Sequence, residues 1–300
     1  MKRCLVTGAT GFIGTHVVQQ LLDEGWQVLS VSRNSAPMIS QNHEHIALDL
    51  HDPAAVDGIL KTRRPSHLIH LAWEATPGKF WHSTENFRWV SSSAFLLDAF
   101  VRHGGEKAML AGSCAEYKWE NSPLDEDISP LNATTYYSAS KLAFKGLAEV
   151  IAKDISLVWA RIFFPYGPDE DESKLISYIF REISENRLLA IQTPNRAVDM
   201  IHVADVAIAF EKLAASDATG IVNVCSGNTC LPHEIALEFA KLMEKPQLEE
   251  KLLKDIEKHR ANVTVCGNNA KLAAFLNGKQ PKSLSEGLRS YLLLQAKRSP

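Results

Sequence analysis

The sequence predicts an α/β fold, a doubly wound parallel sheet followed by a smaller, mostly helical C-terminal lobe. Three observations carry this expectation. The chain opens on a strand, a glycine turn and an amphipathic helix. Short apolar runs then alternate with helical periodicities as far as residue 163. One of those runs, Ser-His-Leu-Ile-His-Leu-Ala at 66–72, is nearly continuously apolar, as a strand covered on both faces requires. The 300 residues, 45% hydrophobic and 22% charged, suffice for one large domain or for a domain with a smaller partner.

Cys4, Leu5 and Val6 begin the first strand, and Thr7-Gly8-Ala9-Thr10-Gly11-Phe12-Ile13-Gly14 follows it. Phe12, Ile13, Val17, Leu21 and Leu22 then share one helical face, which Gly25 ends. Glycines let the backbone turn tightly and let a pyrophosphate approach the amides at the helix N-terminus. The spacing is Gly-x-x-Gly-x-x-Gly rather than Gly-x-Gly-x-x-Gly. A strand before it and an amphipathic helix after it favour dinucleotide binding over a purely structural turn.

Residues 27–31 read as a second strand ending at Ser32-Arg33-Asn34, where a dinucleotide fold meets the adenosine ribose. A carboxylate there bonds the ribose hydroxyls of NAD, whereas an arginine meets a 2′-phosphate. Arg33 without an acid favours NADP, with NAD as the alternative and a solvated loop arginine as the bland reading. A third strand, 45–50, ends in Asp49-Leu50, and 53–61 is helical. Trp73 follows the strand at 66–72, and 83–102 is a long helix carrying Phe87, Val90, Phe95, Leu96 and Phe100. The strand 108–111 leads into Gly112-Ser113-Cys114-Ala115-Glu116-Tyr117. A polar loop at 118–135, a helix at 136–153 and a strand at 157–163 complete the alternation, with right-handed crossovers.

These elements define a dinucleotide-binding domain over 1–165. Residues 166–300 form the smaller lobe, broken at Pro165-Tyr166-Gly167-Pro168. Helices are expected near 174–187, 204–215, 232–244, 247–259 and 284–295. Strands at 198–203 and 220–225 are expected to return to the sheet.

A net charge of −3 offers no basic field for nucleic acid. Five scattered cysteines without a C-x-x-C pair argue against a disulfide framework or a metal site. No signal peptide and no spanning apolar run are read, so a cytoplasmic location is expected.

Tyr137-Ser138-Ala139-Ser140-Lys141 places a phenol and an ammonium at i and i+4, on one helix face. A nearby cation favours phenolate, so the tyrosine is expected to titrate below the roughly 10 of a free phenol. Such a tyrosine can exchange a proton with a substrate oxygen during hydride transfer. Ser113, just past a strand end at the ligand-binding edge of an open sheet, can donate to the same oxygen. The rival readings are a surface pair and a turn-capping serine.

Together these motifs resemble the extended short-chain dehydrogenase/reductases, and more narrowly the NAD-dependent epimerase/dehydratase group that acts on nucleotide sugars. His70-Leu71-Ala72, Tyr166-Gly167-Pro168, Asp199-Met200-Ile201-His202-Val203-Ala204-Asp205-Val206 and Asn223-Val224-Cys225-Ser226-Gly227 also match in order, so the resemblance covers about three quarters of the chain. It implies that Tyr137 is the acid/base, that Lys141 holds the nicotinamide ribose and tunes Tyr137, and that Ser113 orients the reacting group. It also implies a cofactor site of Gly8, Thr10, Gly11, Phe12, Ile13, Ser32, Arg33, Asp49, Leu50, Leu71, Ala72, Trp73 and Phe164 with Tyr137 and Lys141. Trp73, Ser113, Cys114 and Arg196 are expected on the substrate side.

Departures from the family pattern narrow the expectation. The 4,6-dehydratases of the group carry Asp-Glu directly after the hydroxyl residue, where this chain has Cys114 and Ala115, so dehydration is not expected. An arginine before the Asp-Phe-Ile-His stretch is replaced by Val198, with Arg196 two residues earlier. Gly112 to Tyr117, with His70-Leu71-Ala72-Trp73, looks most like deoxysugar reductases and epimerases of bacterial surface polysaccharides. Trp73, Trp81, His82 and Trp89 are expected near the substrate, unless they are core.

The resulting expectation is an NADP(H)-dependent reductase of the 4-keto group of a nucleotide-activated 6-deoxyhexose, with a homodimer as a compatible assembly and no membrane partner. The alternatives are an NAD-dependent nucleotide-sugar 4-epimerase and a non-catalytic, cofactor-sensing binding protein.

Overall fold

The computed structural model describes residues 2–121, 123–256 and 261–296. In chain order the first elements are β1 (Arg3–Thr7), α1 (Phe12–Asp23), β2 (Gln27–Ser32), β3 (His43–Ala47), α2 (Pro53–Arg63), β4 (His67–His70), α3 (Glu85–Arg102), β5 (Lys107–Ser113), α4 (Tyr136–Ile151) and β6 (Ser156–Ile162). Then come β7 (Phe164–Tyr166), α5 (Leu175–Ser184), β8 (Arg196–His202), α6 (Val203–Ala215), β9 (Gly220–Val224) and β10 (Thr229–Cys230). The last are α7 (Pro232–Leu242), α8 (Pro246–Ile256), β11 (Val263–Val265), α9 (Ala270–Phe275) and α10 (Leu284–Ala296). Residues 257–259 of the expected fourth lobe helix lie outside the described residues.

Seven strands pair in the order β3-β2-β1-β4-β5-β6-β9, every pair parallel. This is a Rossmann-type sheet, and its order reverses between β1 and β4. That switch point opens a crevice at the carboxyl ends of those two strands, where open α/β sheets take ligands. One face is covered by Val17, Val18 and Leu21 of α1 with Val206, Phe210 and Leu213 of α6. The other is covered by Val56 and Leu60 of α2, Leu96, Leu97 and Phe100 of α3, and Phe144 and Ala148 of α4. Two covered faces explain why the central strands read as unbroken apolar runs.

The strand expected at 198–203 does not return to this sheet. As β8 it pairs instead with β7, β10 and β11 in a separate four-stranded sheet. The place beside β6 is taken by β9, which does return as expected. Alternation identifies a strand but not its partner. Here the chain leaves β6 directly into β7, and β8 pairs with that extension. The helices α5, α7 and α10 then enclose a further core around Tyr166, Ile179, Phe239 and Tyr291.

Candidate active site

Thr7 ends β1 and Gly8 turns the chain at φ +67°, where a Cβ would lie 2.8 Å from the Ala72 amide nitrogen. A Cβ on Gly14 would collide with the Gly8 carbonyl, so α1 can approach its own turn only without a side chain there. Beneath the turn, His70 spans Thr7 Oγ1 at 2.7 Å and Ser93 Oγ at 2.8 Å. Burial, aided by the Lys141 charge, holds this histidine down at about 3, so it is a neutral brace between β1, β4 and α3. Sequence reading matched His70 to a motif without seeing this role.

Gly11 caps α1 with no side-chain hydrogen bond. Thr10 and Gly11 are exposed, while Phe12 and Ile13 are half-buried beside them.

A cavity of about 330 Å³ collects Arg33, Asp49, His51, Trp73, Glu74 and Arg88. It joins the ends of β2, β3 and β4 to the first turns of α3. Sequence reading found Arg33, Asp49 and Trp73 but passed over His51, two residues beyond Asp49, and missed Arg88, because α3 is brought to this edge only by the fold. Ser32 uses its hydroxyl locally, donating to the Asn34 carbonyl at 2.8 Å. Leu50 is buried in the α2–α3 core, with Ala72 packed against the same core and Leu71 against the opposite one.

The aromatic residues divide into two groups. Trp73 donates to Asn86 Oδ1 at 2.8 Å and stacks on Trp89 and Phe144. Trp81 instead meets Tyr137 edge-on at 5.8 Å, beside Phe80 at 4.9 Å. Buried Asn86 also donates to the carbonyls of Phe80 and Ser83, so one side chain fixes both groups. His82 lies 6.3 Å from Tyr136 at the outer edge.

Ser113 ends β5, and its Oγ accepts from the Ala115 amide at 3.2 Å. The α4 helix starts at Thr135, whose side chain accepts from the Ser138 amide at 3.1 Å, and presents Tyr137 and Lys141 on one face. Ser113 beside Tyr137 favours the phenolate, yet burial is the larger influence and raises the phenol above its ordinary value. Lys141 does not lower it. Its Nζ donates to the Ala111 carbonyl at 2.9 Å and sits 3.8 Å from the Trp73 ring centroid, against 5.9 Å for the Tyr137 ring. Burial brings this ammonium down to about 7. The expected acidification of Tyr137 by Lys141 is therefore corrected, because desolvation outweighs a cation directed elsewhere.

Cys114 faces inward, in an apolar group with Tyr117, Phe163, Val198 and Cys225. Phe164 packs on Trp119 at 6.0 Å, and the Arg196 guanidinium lies 5.6 Å from the same tryptophan ring. Arg196 Nε is buried and finds no acceptor among the described residues.

Residues 4–225 match the model of the NAD dependent epimerase/dehydratase family. The chain belongs to that family. It is 25% identical over 330 residues to the UDP-glucose 4-epimerase of Bacillus subtilis, covering 94% of this chain and 93% of that one. It is 23% identical to the dTDP-6-deoxy-L-talose 4-dehydrogenase (NAD(+)) of Aggregatibacter actinomycetemcomitans, with 74% and 84% covered. The UDP-glucose 4-epimerase of Thermus thermophilus, solved with NAD, superposes with a TM-score of 0.78 at 22% identity over 97% of both chains.

As a member of the NAD-dependent epimerase/dehydratase family the protein is a short-chain dehydrogenase/reductase-type enzyme, and its residues fit the dinucleotide that the family name implies. The first turn of α1, whose cap Gly11 brings no side chain, presents amide donors for a diphosphate at the switch point, and Gly8 packs its turn directly against the Ala72 backbone. Among the described residues, no group of three His, Cys, Asp or Glu side chains is placed to hold a metal ion, and no helix is long and apolar enough to cross a membrane.

Proposed function

We propose that this enzyme carries out NAD(P)-dependent oxidation and reduction at C4 of a nucleotide-activated hexose, as a 4-epimerase. The observation that carries the reading is Ser113 at the carboxyl end of β5 beside Tyr137 in the first turn of α4, with Lys141 one turn on. The relatives named for UDP- and dTDP-sugars support the substrate class. When bound, the dinucleotide supplies hydride chemistry. Tyr137 moves the proton on the C4 oxygen, Ser113 donates a hydrogen bond to that oxygen, and Lys141 is assigned to the nicotinamide ribose. Arg33, Asp49 and Trp73 are assigned to the cofactor, and Arg196 to substrate phosphate.

Dehydration is not part of the proposal. Cys114 is buried, Ala115 has no proton to give, and the next carboxylate, Glu116, is turned inward onto Arg161 at 2.8 Å.

A second reading, NADPH-dependent reduction of a 4-keto-6-deoxyhexose nucleotide, is favoured by Arg33 and Arg88 facing one cavity. Incubation with UDP-glucose and NAD tests the first reading, with UDP-galactose as the expected product. If no epimer forms but a dTDP-4-keto-6-deoxyhexose is consumed with NADPH, the second reading replaces it. In that case Arg33→Asp should weaken NADPH binding about 10- to 100-fold, the range of one charge-assisted phosphate contact. Cofactor binding without turnover of either sugar would sink both and favour a binding protein.

A further inference from the structure

Glu116 and Arg161 form an ion pair inside the sheet, 0% and 1% exposed. The carboxylate is filled on both oxygens. It accepts from the Ser113 amide at 2.7 Å, from Trp159 Nε1 at 2.9 Å and from Arg161 Nε at 2.8 Å. Gly112 clears space for this arrangement, since a Cβ there would lie 2.8 Å from Glu116 Oε1 and would collide with Trp159. A buried pair of this kind adds little stability over well-packed apolar residues, so its presence calls for another reason. The reason lies three residues back in the chain.

We infer that Glu116 is the positioning residue for Ser113. The Ser113 backbone is tied to the carboxylate, and its Oγ accepts from the Ala115 amide. With that lone pair occupied, the hydroxyl proton is left to donate to the reacting oxygen. Arg161 keeps the carboxylate in place, and the 3₁₀ turn Cys114–Glu116 is the lever between them. The inference rests on the proposed role of Ser113 at the C4 oxygen.

The test uses Glu116→Leu with Arg161→Met, which removes the acceptor without leaving a buried charge unpaired. With UDP-glucose and NAD, kcat should fall about 10- to 100-fold, as for a misplacement near 1 Å, while KM stays within about threefold. Glu116→Gln with Arg161→Met restores an acceptor for the Ser113 amide and should recover most of the lost kcat. In a Ser113→Ala background, Glu116→Leu with Arg161→Met should cost nothing further. A wild-type kcat in the Leu/Met variant, or losses that multiply with Ser113→Ala, would overturn the inference.

A second measurement covers a Leu/Met variant that does not fold. In selectively ¹⁵N-serine-labelled protein the Ser113 amide proton should lie far downfield, and it should move upfield in the Gln/Met variant. An unmoved resonance would overturn the inference. Wild-type inactivity with the downfield resonance present would instead count against the proposed function alone.

Discussion

At Tyr137 the neighbouring Ser113 favours phenolate and burial disfavours it, with burial the larger. In the free protein the phenol therefore stays protonated at neutral pH. The oxidation that opens the proposed epimerisation needs the phenolate, and the reduction that closes it returns the proton. Tyr137→Phe removes that proton while leaving the ring contacts to Phe80 and Trp81. Its kcat should fall about 10²- to 10⁴-fold with cofactor affinity nearly unchanged, and turnover within threefold of wild type would remove Tyr137 from the chemistry. Lys141 gives a pH prediction of definite sign. Its folded value is about 7, against about 10.4 in an unfolded chain. Between those values the unfolded state binds more protons, so this group makes stability rise with pH, and its penalty is complete below 7. Lys141→Met should stabilise the free protein by about 1–3 kcal/mol near pH 6, with the gain vanishing above pH 10, while impairing turnover. Calorimetric melts of variant and wild type at both pH values check this, and an equal difference at the two would refute it.

Among the helices, glycines separate packing from propensity. Gly146 lies in α4 with open space where a Cβ would stand, nothing coming within 4 Å, so Gly146→Ala should stabilise by about 0.5–1 kcal/mol. Gly14 lies in α1 against the Gly8 carbonyl. Gly14→Ala must push the helix off its turn, costing about 1–3 kcal/mol and weakening dinucleotide binding together. Denaturant melts of the two variants should move in opposite directions, and cofactor titration should change only for Gly14→Ala. The brace of His70 between Thr7 and Ser93 belongs to the same level, because it fixes β4 and α3 beneath that turn.

For the whole molecule, Asp199 is the joint between the two sheets. Fully buried in β8, it accepts from the Ser226 amide at 2.8 Å and hydroxyl at 2.6 Å, just past β9, and from the amides of Gly227 at 3.0 Å and Gly267 at 3.1 Å. Asp199→Asn puts a donor among donors and leaves at least one buried N–H unpaired. It should cost about 2–4 kcal/mol, read as a lowered Tm, with loss of turnover preceding global unfolding as the sheets lose register. A Tm within a degree of wild type would show the joint to be dispensable.

Local chemistry was legible in the sequence. A Gly-x-x-Gly-x-x-Gly turn between a strand and a helix, apolar runs alternating with helices, and Tyr137 one turn before Lys141 each express a short-range rule of backbone geometry or periodicity. They determined the sheet class, the order of elements and the three residues gathered near one edge. The capping pattern Ser113-x-x-Glu116 was also readable, though only folding shows that the glutamate turns inward to Arg161, 45 residues later. The tertiary structure alone decided where β8 pairs, that Arg88 and His51 join Arg33, that Asn86 anchors the aromatic loop, and that Lys141 rests on Trp73 rather than on the phenol. Each of these depends on groups far apart in the chain, and on desolvation, which no local pattern of residues encodes.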